Sequence, residues 1–226
     1  MRSVIFDLDG TLADTGGDLV AAANVCFRDM GLGNLLDPVL DRAVAMQGGA
    51  RAMLREGLHR AGLDNGPDQV DAHYPAVVRA YEKDLDNFTV VYDGVEDALK
   101  RLRGQGFQLG ICTNKPDHLA DMLLVRLKLR SYFDCLVGAT TLAVRKPDPA
   151  PLHEAVRRLG SFSGATVLVG DSQTDRETAR AAGVPSVLVS FGPAGAAVSD
   201  LVPDAILHRY SDIEAVIAPF YENSSG

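Results

Sequence analysis

The sequence predicts an α/β protein, with a doubly wound parallel sheet at its core and a small all-helical unit inserted into it. Three observations predict this. Short apolar runs at Ser3–Phe6, Gln108–Cys112, Thr166–Gly170 and Ser186–Val189 alternate with helical patterns, the rhythm of a parallel sheet covered on both faces. Residues 37–84 keep helical spacing with no convincing strand to interrupt them. Polar clusters follow directly on three of the apolar runs, where an open parallel sheet builds its ligand crevice. At 226 residues the chain suits one sizeable domain, or a domain carrying a smaller insert, and buries about 70–75% of its unfolded surface.

Ser3-Val4-Ile5-Phe6 reads as a buried strand entering the polar loop Asp7-Leu8-Asp9-Gly10-Thr11. Over 18–30, Leu19, Val20, Ala23, Phe27 and Met30 recur at helical spacing, and Gly31 stops the run. Val39, Leu40, Met53, Leu54, Leu58, Val70, Val77 and Tyr81 carry a helical pattern on to residue 84. After Tyr92-Asp93-Gly94, a helix over 95–103 leads to the strand Gln108–Cys112 and then to Thr113-Asn114-Lys115-Pro116. Pro116 suits the first turn of the next helix, which reaches Leu127. A short strand over 135–137 precedes Arg145-Lys146-Pro147-Asp148-Pro149 and a helix to Leu159. Strand Thr166–Gly170 ends at Asp171, a helix over 174–182 stops at Gly183, and Ser186–Val189 is a further strand. The tail Asn223-Ser224-Ser225-Gly226 is small and polar and is expected to fray.

Composition narrows the function classes. Hydrophobic residues make up 46% and charged residues 23%, as in ordinary globular proteins. The formal charge of −8 argues against nucleic acid or an anionic membrane surface as a partner. An acidic enzyme still binds anionic substrates if a local cation helps, and a metal is the obvious candidate. Cys26, Cys112 and Cys135 form no CxxC and no zinc spacing, so they read as free thiols in a reducing compartment. The first apolar run meets Asp7 at once, too short for a signal peptide, and no stretch approaches the ~18 apolar residues that span a bilayer. The expectation is a cytoplasmic protein.

The chemistry is read from where the polar clusters fall. Asp7 and Asp9 follow the first strand, Thr113 and Asn114 the second, Asp171 and Asp175 a later one. Folding the sheet brings these loops together. Four carboxylates in one crevice repel one another, so a divalent cation is their natural counter-charge, and oxygen-only ligands suit Mg²⁺. Each residue alone also has a plain structural reading. Asp9-Gly10 is a common turn, Asp171 and Asp175 suit a helix cap, Thr113 a turn, and Lys146 a solvated charge beside Pro147. His59, His73, His118, His153 and His208 are scattered, and Asp148 lies in a proline turn, so none is assigned chemistry.

Taken together, Asp7-Leu8-Asp9-Gly10-Thr11-Leu12, Thr113-Asn114, Lys146-Pro147 and Gly170-Asp171-Ser172 with Asp175 resemble the four signature motifs of haloacid dehalogenase (HAD)-superfamily phosphatases, in order and over most of the chain. The resemblance implies a Rossmann-like core and a set of roles. Asp7 is the nucleophile that forms an aspartyl-phosphate. Asp9 protonates the leaving oxygen and later deprotonates the hydrolytic water. Thr113 and the Asn114 amide hold phosphate oxygens, and Lys146 offsets transition-state charge. Mg²⁺ is held by the Asp7 carboxylate, the Asp9 carbonyl and Asp171, with Asp175 ligating through water or orienting that shell. A carboxylate at position 9 points to phosphate esters, because halide leaving groups need no proton.

The resemblance also makes the helical insert a cap over the crevice, with residues 15–88 as cap and 1–14 plus 89–226 as core. In detail the chain looks most like phosphoglycolate phosphatases, through Asp9–Thr15, Cys112–Pro116, Arg145–Leu152 and Val189–Gly192 with Pro203-Asp204-Ala205. The expected substrate is therefore a small phosphorylated metabolite, 2-phosphoglycolate first. Other readings are a phosphatase for a sugar phosphate or nucleotide, a phosphomutase, or a silent binding module. The last predicts loss of Asp7, Asp9 or Lys146, and all three are present. One departure is Gln47 in the cap loop Met46-Gln47-Gly48-Gly49-Ala50-Arg51, where such enzymes commonly carry a glycine. Gly48, Gly49 and Arg51 remain candidates there, Arg51 for a substrate carboxylate or simply as a solvated helix-start residue. A serine-esterase reading of Ser172 needs a partner histidine, for which His208 is the candidate. The oligomeric state, monomer or homodimer, is left open.

Overall fold

The computed structural model describes residues 1–222, apart from the side chain of Gln47, so the expected fraying at 223–226 lies outside the described residues. The chain divides into two compact units, residues 1–13 with 91–226, and residues 14–90. The first holds a six-stranded parallel sheet, β1 (Ser3–Phe6), β4 (Gln108–Cys112), β5 (Cys135–Val137), β6 (Thr166–Gly170), β7 (Ser186–Val189) and β8 (Ala205–Leu207), in the order β5-β4-β1-β6-β7-β8. Two-residue strands β2 (Ala13–Asp14) and β3 (Val90–Val91) pair separately.

The sheet is covered on both faces, which is why its strands read as unbroken apolar runs. All four residues of β1 are buried. Ile5 meets Cys112, Val137, Leu168 and residues from α6 (Ala150–Arg158) and α7 (Gln173–Ala182) in one cluster. Phe6 points the other way by strand alternation and meets Phe133 edge-on, centroids 6.2 Å apart. Helices α4 (Val95–Gly104) and α5 (Asp117–Arg126) complete the main layers, and α8 (Ile213–Ile217) and α9 (Pro219–Glu222) follow the last strand. The order of strands fixes the site. From β1 the chain moves one way to β4 and β5, then crosses β1 to β6, so the crevice opens beyond the carboxyl end of β1.

The second unit packs α1 (Gly16–Asp29), α2 (Arg42–Arg60) and α3 (Pro67–Lys83) around Phe27, Met53, Leu54, Leu58, Val77 and Tyr81, all at most 2% exposed. Asp41 before α2 takes a two-pronged ion pair from Arg60 near its end, at 2.6 and 2.7 Å. The helix is broken at Gly49, whose φ of 61° and ψ of −161° belong to a region only glycine occupies comfortably.

Five strands, β1, β4, β5, β6 and β7, have the bounds that the sequence predicts. Pro116 differs: it caps α5 from outside, and the helix starts at Asp117. A proline there still fixes the entry φ while the first N–H groups stay outside the helix ladder. Strand β8 escapes sequence reading because two of its three residues are half-buried, whereas β5, equally short and at the other edge, buries two of its three and is expected from the sequence over 135–137.

Candidate active site

Register brings the sequence candidates to one edge. Phe6 pairs with Ile111 on one side and Val169 on the other, so Asp7 stands level with Cys112 and Gly170. The Asp7 N–H extends the pairing by donating to the Val169 carbonyl at 2.9 Å, and Thr113 N–H donates to Val137 at 3.0 Å. Both side chains are thus set by strand geometry before the loops diverge.

Asp7 is 8% exposed. Its Oδ1 lies 3.1 Å from Lys146 Nζ as an ion pair without hydrogen-bond alignment, so this buried oxygen has no hydrogen-bond partner. Lys146 instead donates to Asp175 Oδ1 at 2.6 Å. Burial opposes its charge, but Asp175 and Asp7 outweigh that and hold the amine protonated. Asp175 is fully buried as well. Its other oxygen accepts from the Asp171 and Ser172 amides, both at 3.2 Å, and from Ser172 Oγ at 2.6 Å. Ser172 and Asp175 form a capping box at the start of α7.

Carboxylate oxygens of Asp7, Asp171 and Asp175 all lie within 4.8 Å of one another. Burial, together with Asp175 and Asp9 and against the pull of Lys146, pushes the Asp7 carboxyl up to about 6. Asp171 is pushed well above the carboxylate range by burial and by its neighbours Asp175 and Asp7. One amine among three desolvated carboxylates leaves an excess of negative charge. The donor set is oxygen only, one of its oxygens lacks a hydrogen bond, and hard divalent cations suit such a set. The residues fit a metal.

The turn after Asp7 is shaped for close approach. Gly10 has φ 84°, and a Cβ there would stand 2.5 Å from Asp171 Oδ2. Thr11 Oγ1 donates to Asp171 Oδ1 at 3.1 Å, while the Thr11 carbonyl accepts from buried Tyr210 at 2.8 Å. Asp9 stands outside the carboxylate trio and turns to Lys115, whose Nζ reaches its two oxygens at 2.9 and 3.3 Å. Thr113 is buried, its Oγ1 accepting from the Lys115 amide at 3.2 Å. Asn114 sends its side-chain amide to the Lys146 carbonyl at 2.9 Å, so its side chain ties two loops. Burial pushes the neighbouring Cys112 thiol up to about 12, which keeps it inert.

The cap-loop candidates lie in the helical unit. Gly48 is exposed in α2, and Gly49 makes its break. Arg51, two residues past the Gly49 break and partly exposed, pairs with Asp71 and lies 4.1 Å over the Tyr74 ring. His208 bonds Ser190 at 2.8 Å and Ser172 serves the capping box, so the Ser172–His208 pair that the serine-esterase reading needs is not formed among the described residues. Sequence reasoning passed over Lys115, Thr11 and Tyr210. A tally of charge, with four carboxylates against a single assigned lysine, is the signal that points to Lys115.

Known proteins resemble this chain in sequence and in fold. A family model described as haloacid dehalogenase-like hydrolase matches residues 4–189. A phosphoglycolate phosphatase from Xanthomonas campestris pv. campestris (strain 8004) is 40% identical over 195 residues, 84% of each chain. One from Caulobacter vibrioides is 35% identical over 211 residues, 93% of this chain and 88% of the relative. Among solved structures, a predicted phosphoglycolate phosphatase from Haemophilus somnus 129pt superposes with a TM-score of 0.82 at 26% identity, covering 95% of this chain and 97% of the other.

Proposed function

The chain belongs to the haloacid dehalogenase-like hydrolases, and on that premise we propose that it hydrolyses 2-phosphoglycolate to glycolate and phosphate through a covalent phosphate on Asp7. The observation that carries the chemistry is the buried group of Asp7, Lys146, Asp171 and Asp175 at the carboxyl end of β1. The substrate rests on the names of relatives at 35 and 40% identity and on the shared motifs.

Asp7 attacks phosphorus. Even with its pKa pushed to about 6, the carboxyl is mostly ionised at neutral pH and needs no separate base. Asp9 gives a proton to the departing ester oxygen and then takes one from the water that cleaves the acyl-phosphate. Thr113 and the Asn114 amide hold the phosphoryl oxygens. Lys146, fixed by Asp175, faces the charge that builds on them. Asp7, the Asp9 carbonyl and Asp171 would hold Mg²⁺, which would supply counter-charge to the nucleophile and the phosphoryl group. Asp175 orients this set through Lys146 and the Asp171 amide. The helical unit, with Gly48 and Gly49 at the break of α2, serves as the cap that recognises the leaving group, while Arg51 stays engaged with Asp71 and Tyr74. No described helix is long and apolar enough to cross a membrane.

The test is phosphate release from a panel of small esters, with Mg²⁺ and with chelator, beside Asp7→Asn. The expected result is metal-dependent turnover that favours 2-phosphoglycolate and is lost in the variant. Preference for a sugar phosphate or nucleotide replaces the substrate and keeps the chemistry. No release from any ester overturns the phosphatase reading and leaves the mutase or the silent module.

A further inference from the structure

We infer that Lys115 is a positioning residue for Asp9, holding the acid–base carboxyl on the line to the departing ester oxygen. The inference rests on the phosphatase reading above and adds a residue to it. Lys115 is an unusual lysine, 7% exposed, and a buried ammonium is costly unless a carboxylate meets it. Its Nζ spans both oxygens of Asp9, at 2.9 and 3.3 Å, across 106 positions of sequence. The Lys115 backbone is held in place as well. Its own amide donates to Thr113 Oγ1 at 3.2 Å, and its carbonyl accepts from the Ala139 amide at 3.0 Å. A single tight turn after β4 therefore carries Thr113 and the cation that grips Asp9.

The pairing matters because Asp9 is set differently from Asp7. Strand pairing fixes Asp7, whereas Asp9 lies two residues on, in the loop before Gly10, with its side chain 19% exposed. A carboxyl there has rotamers to lose, and a misplacement of about 1 Å costs on the order of 10²-fold in rate. In the first step the bond from Asp7 oxygen to phosphorus forms and the phosphorus–ester oxygen bond breaks. The electron pair goes to the ester oxygen, which takes its proton from the Asp9 carboxyl. Lys115 neither gives nor takes a proton in this step; its part is to hold Asp9 where that transfer is short.

A leaving group that needs no proton separates this role from a general structural one. Lys115→Met and Lys115→Arg are compared with wild type by kcat/KM on three esters: 2-phosphoglycolate, ethyl phosphate and 4-nitrophenyl phosphate. The methionine variant is expected to lose roughly 10–100-fold on both alkyl esters and less than about threefold on the nitrophenyl ester, whose phenolate leaves unaided. Arginine should recover part of the alkyl loss. An equal fall on all three esters overturns the inference, placing Lys115 in phosphate binding or in the fold. A fall on 2-phosphoglycolate alone also overturns it, making Lys115 a contact for the substrate carboxylate. No change on any ester does the same. If Lys115→Met melts out, the arginine variant carries the test, with a selective alkyl deficit supporting the inference and an unselective one refuting it. Wild type inert on every ester is instead the failure of the phosphatase reading itself.

Discussion

Replacing Asp7 by asparagine should stabilise the metal-free fold while ending turnover. In the folded protein the Asp7 carboxyl titrates at about 6 instead of 3.8, chiefly because burial disfavours its charge. A carboxyl whose pKa rises on folding binds its proton more tightly in the folded state. Its penalty is absent below about pH 4, grows as pH rises, and is complete above about 6. The gap between 3.8 and about 6 corresponds to about 3 kcal/mol at neutral pH. Asparagine keeps the shape and removes the charge, but its amide still faces a place where Oδ1 finds no hydrogen bond. The net gain is therefore about 1–3 kcal/mol, or roughly 2–10 °C in Tm for a chain of this length. Thermal unfolding in chelator at pH values from about 4 to 7.5 measures it. The variant should melt higher at the upper end, and the difference should vanish at the lower. A variant no more stable than wild type at neutral pH, or one equally stabilised at both ends, refutes the reasoning.

Lys146→Met leaves Asp7 and Asp175 facing each other without their shared cation. It should cost about 3–5 kcal/mol in urea unfolding and roughly 10²–10³-fold in kcat. Gly10→Ala strains a φ of 84° and drives a Cβ to 2.5 Å from Asp171 Oδ2, so the Mg²⁺ concentration for half-maximal activity should rise at least about tenfold. Arg51→Ala breaks only a half-exposed pair with Asp71 and a stack on Tyr74, and its kcat/KM should stay within about twofold of wild type.

What was legible in the sequence follows from which signals are local. Strands buried on both faces show as apolar runs, which is why β1, β4, β6 and β7 are bounded correctly from residue types alone. The polar residues after them were legible for the same reason, since a strand end fixes where Asp7, Thr113 and Asp171 emerge. The Asp9–Lys115 and Lys146–Asp175 pairs were not legible, because each joins loops far apart in sequence through side-chain reach that no spacing encodes. The break at Gly49 was hidden too: a glycine in a helical pattern does not announce a ψ of −161°. Nor does β8, with two of its three residues half-buried, carry enough pattern to be seen, unlike the equally short edge strand β5.

Asp175 shows how a conventional-looking acidic residue acquires a different task from its surroundings. It belongs to the carboxylate trio, yet each of its oxygens is already engaged. Oδ1 takes Lys146, and Oδ2 takes two amides and the Ser172 hydroxyl. A ligand engaged on both oxygens acts better by holding Lys146 and the Asp171 amide than by binding a cation directly. Asparagine at this position retains one accepting oxygen. It either keeps the N-terminal donors of α7 and turns its NH₂ to the Lys146 ammonium, or the reverse, so the lysine or the helix cap loses its acceptor. Asp175→Asn should therefore lower kcat by roughly 10²-fold and shift the half-maximal Mg²⁺ concentration by less than about threefold. Asp171→Asn should do the opposite to the metal, raising that concentration at least about tenfold. Ser172→Ala removes the cap hydroxyl alone and should cost about 1 kcal/mol of stability with kcat nearly intact. Measured side by side, equal Mg²⁺ shifts in the two aspartate variants would make Asp175 a direct ligand, and its bond to Lys146 a feature of the metal-free site only.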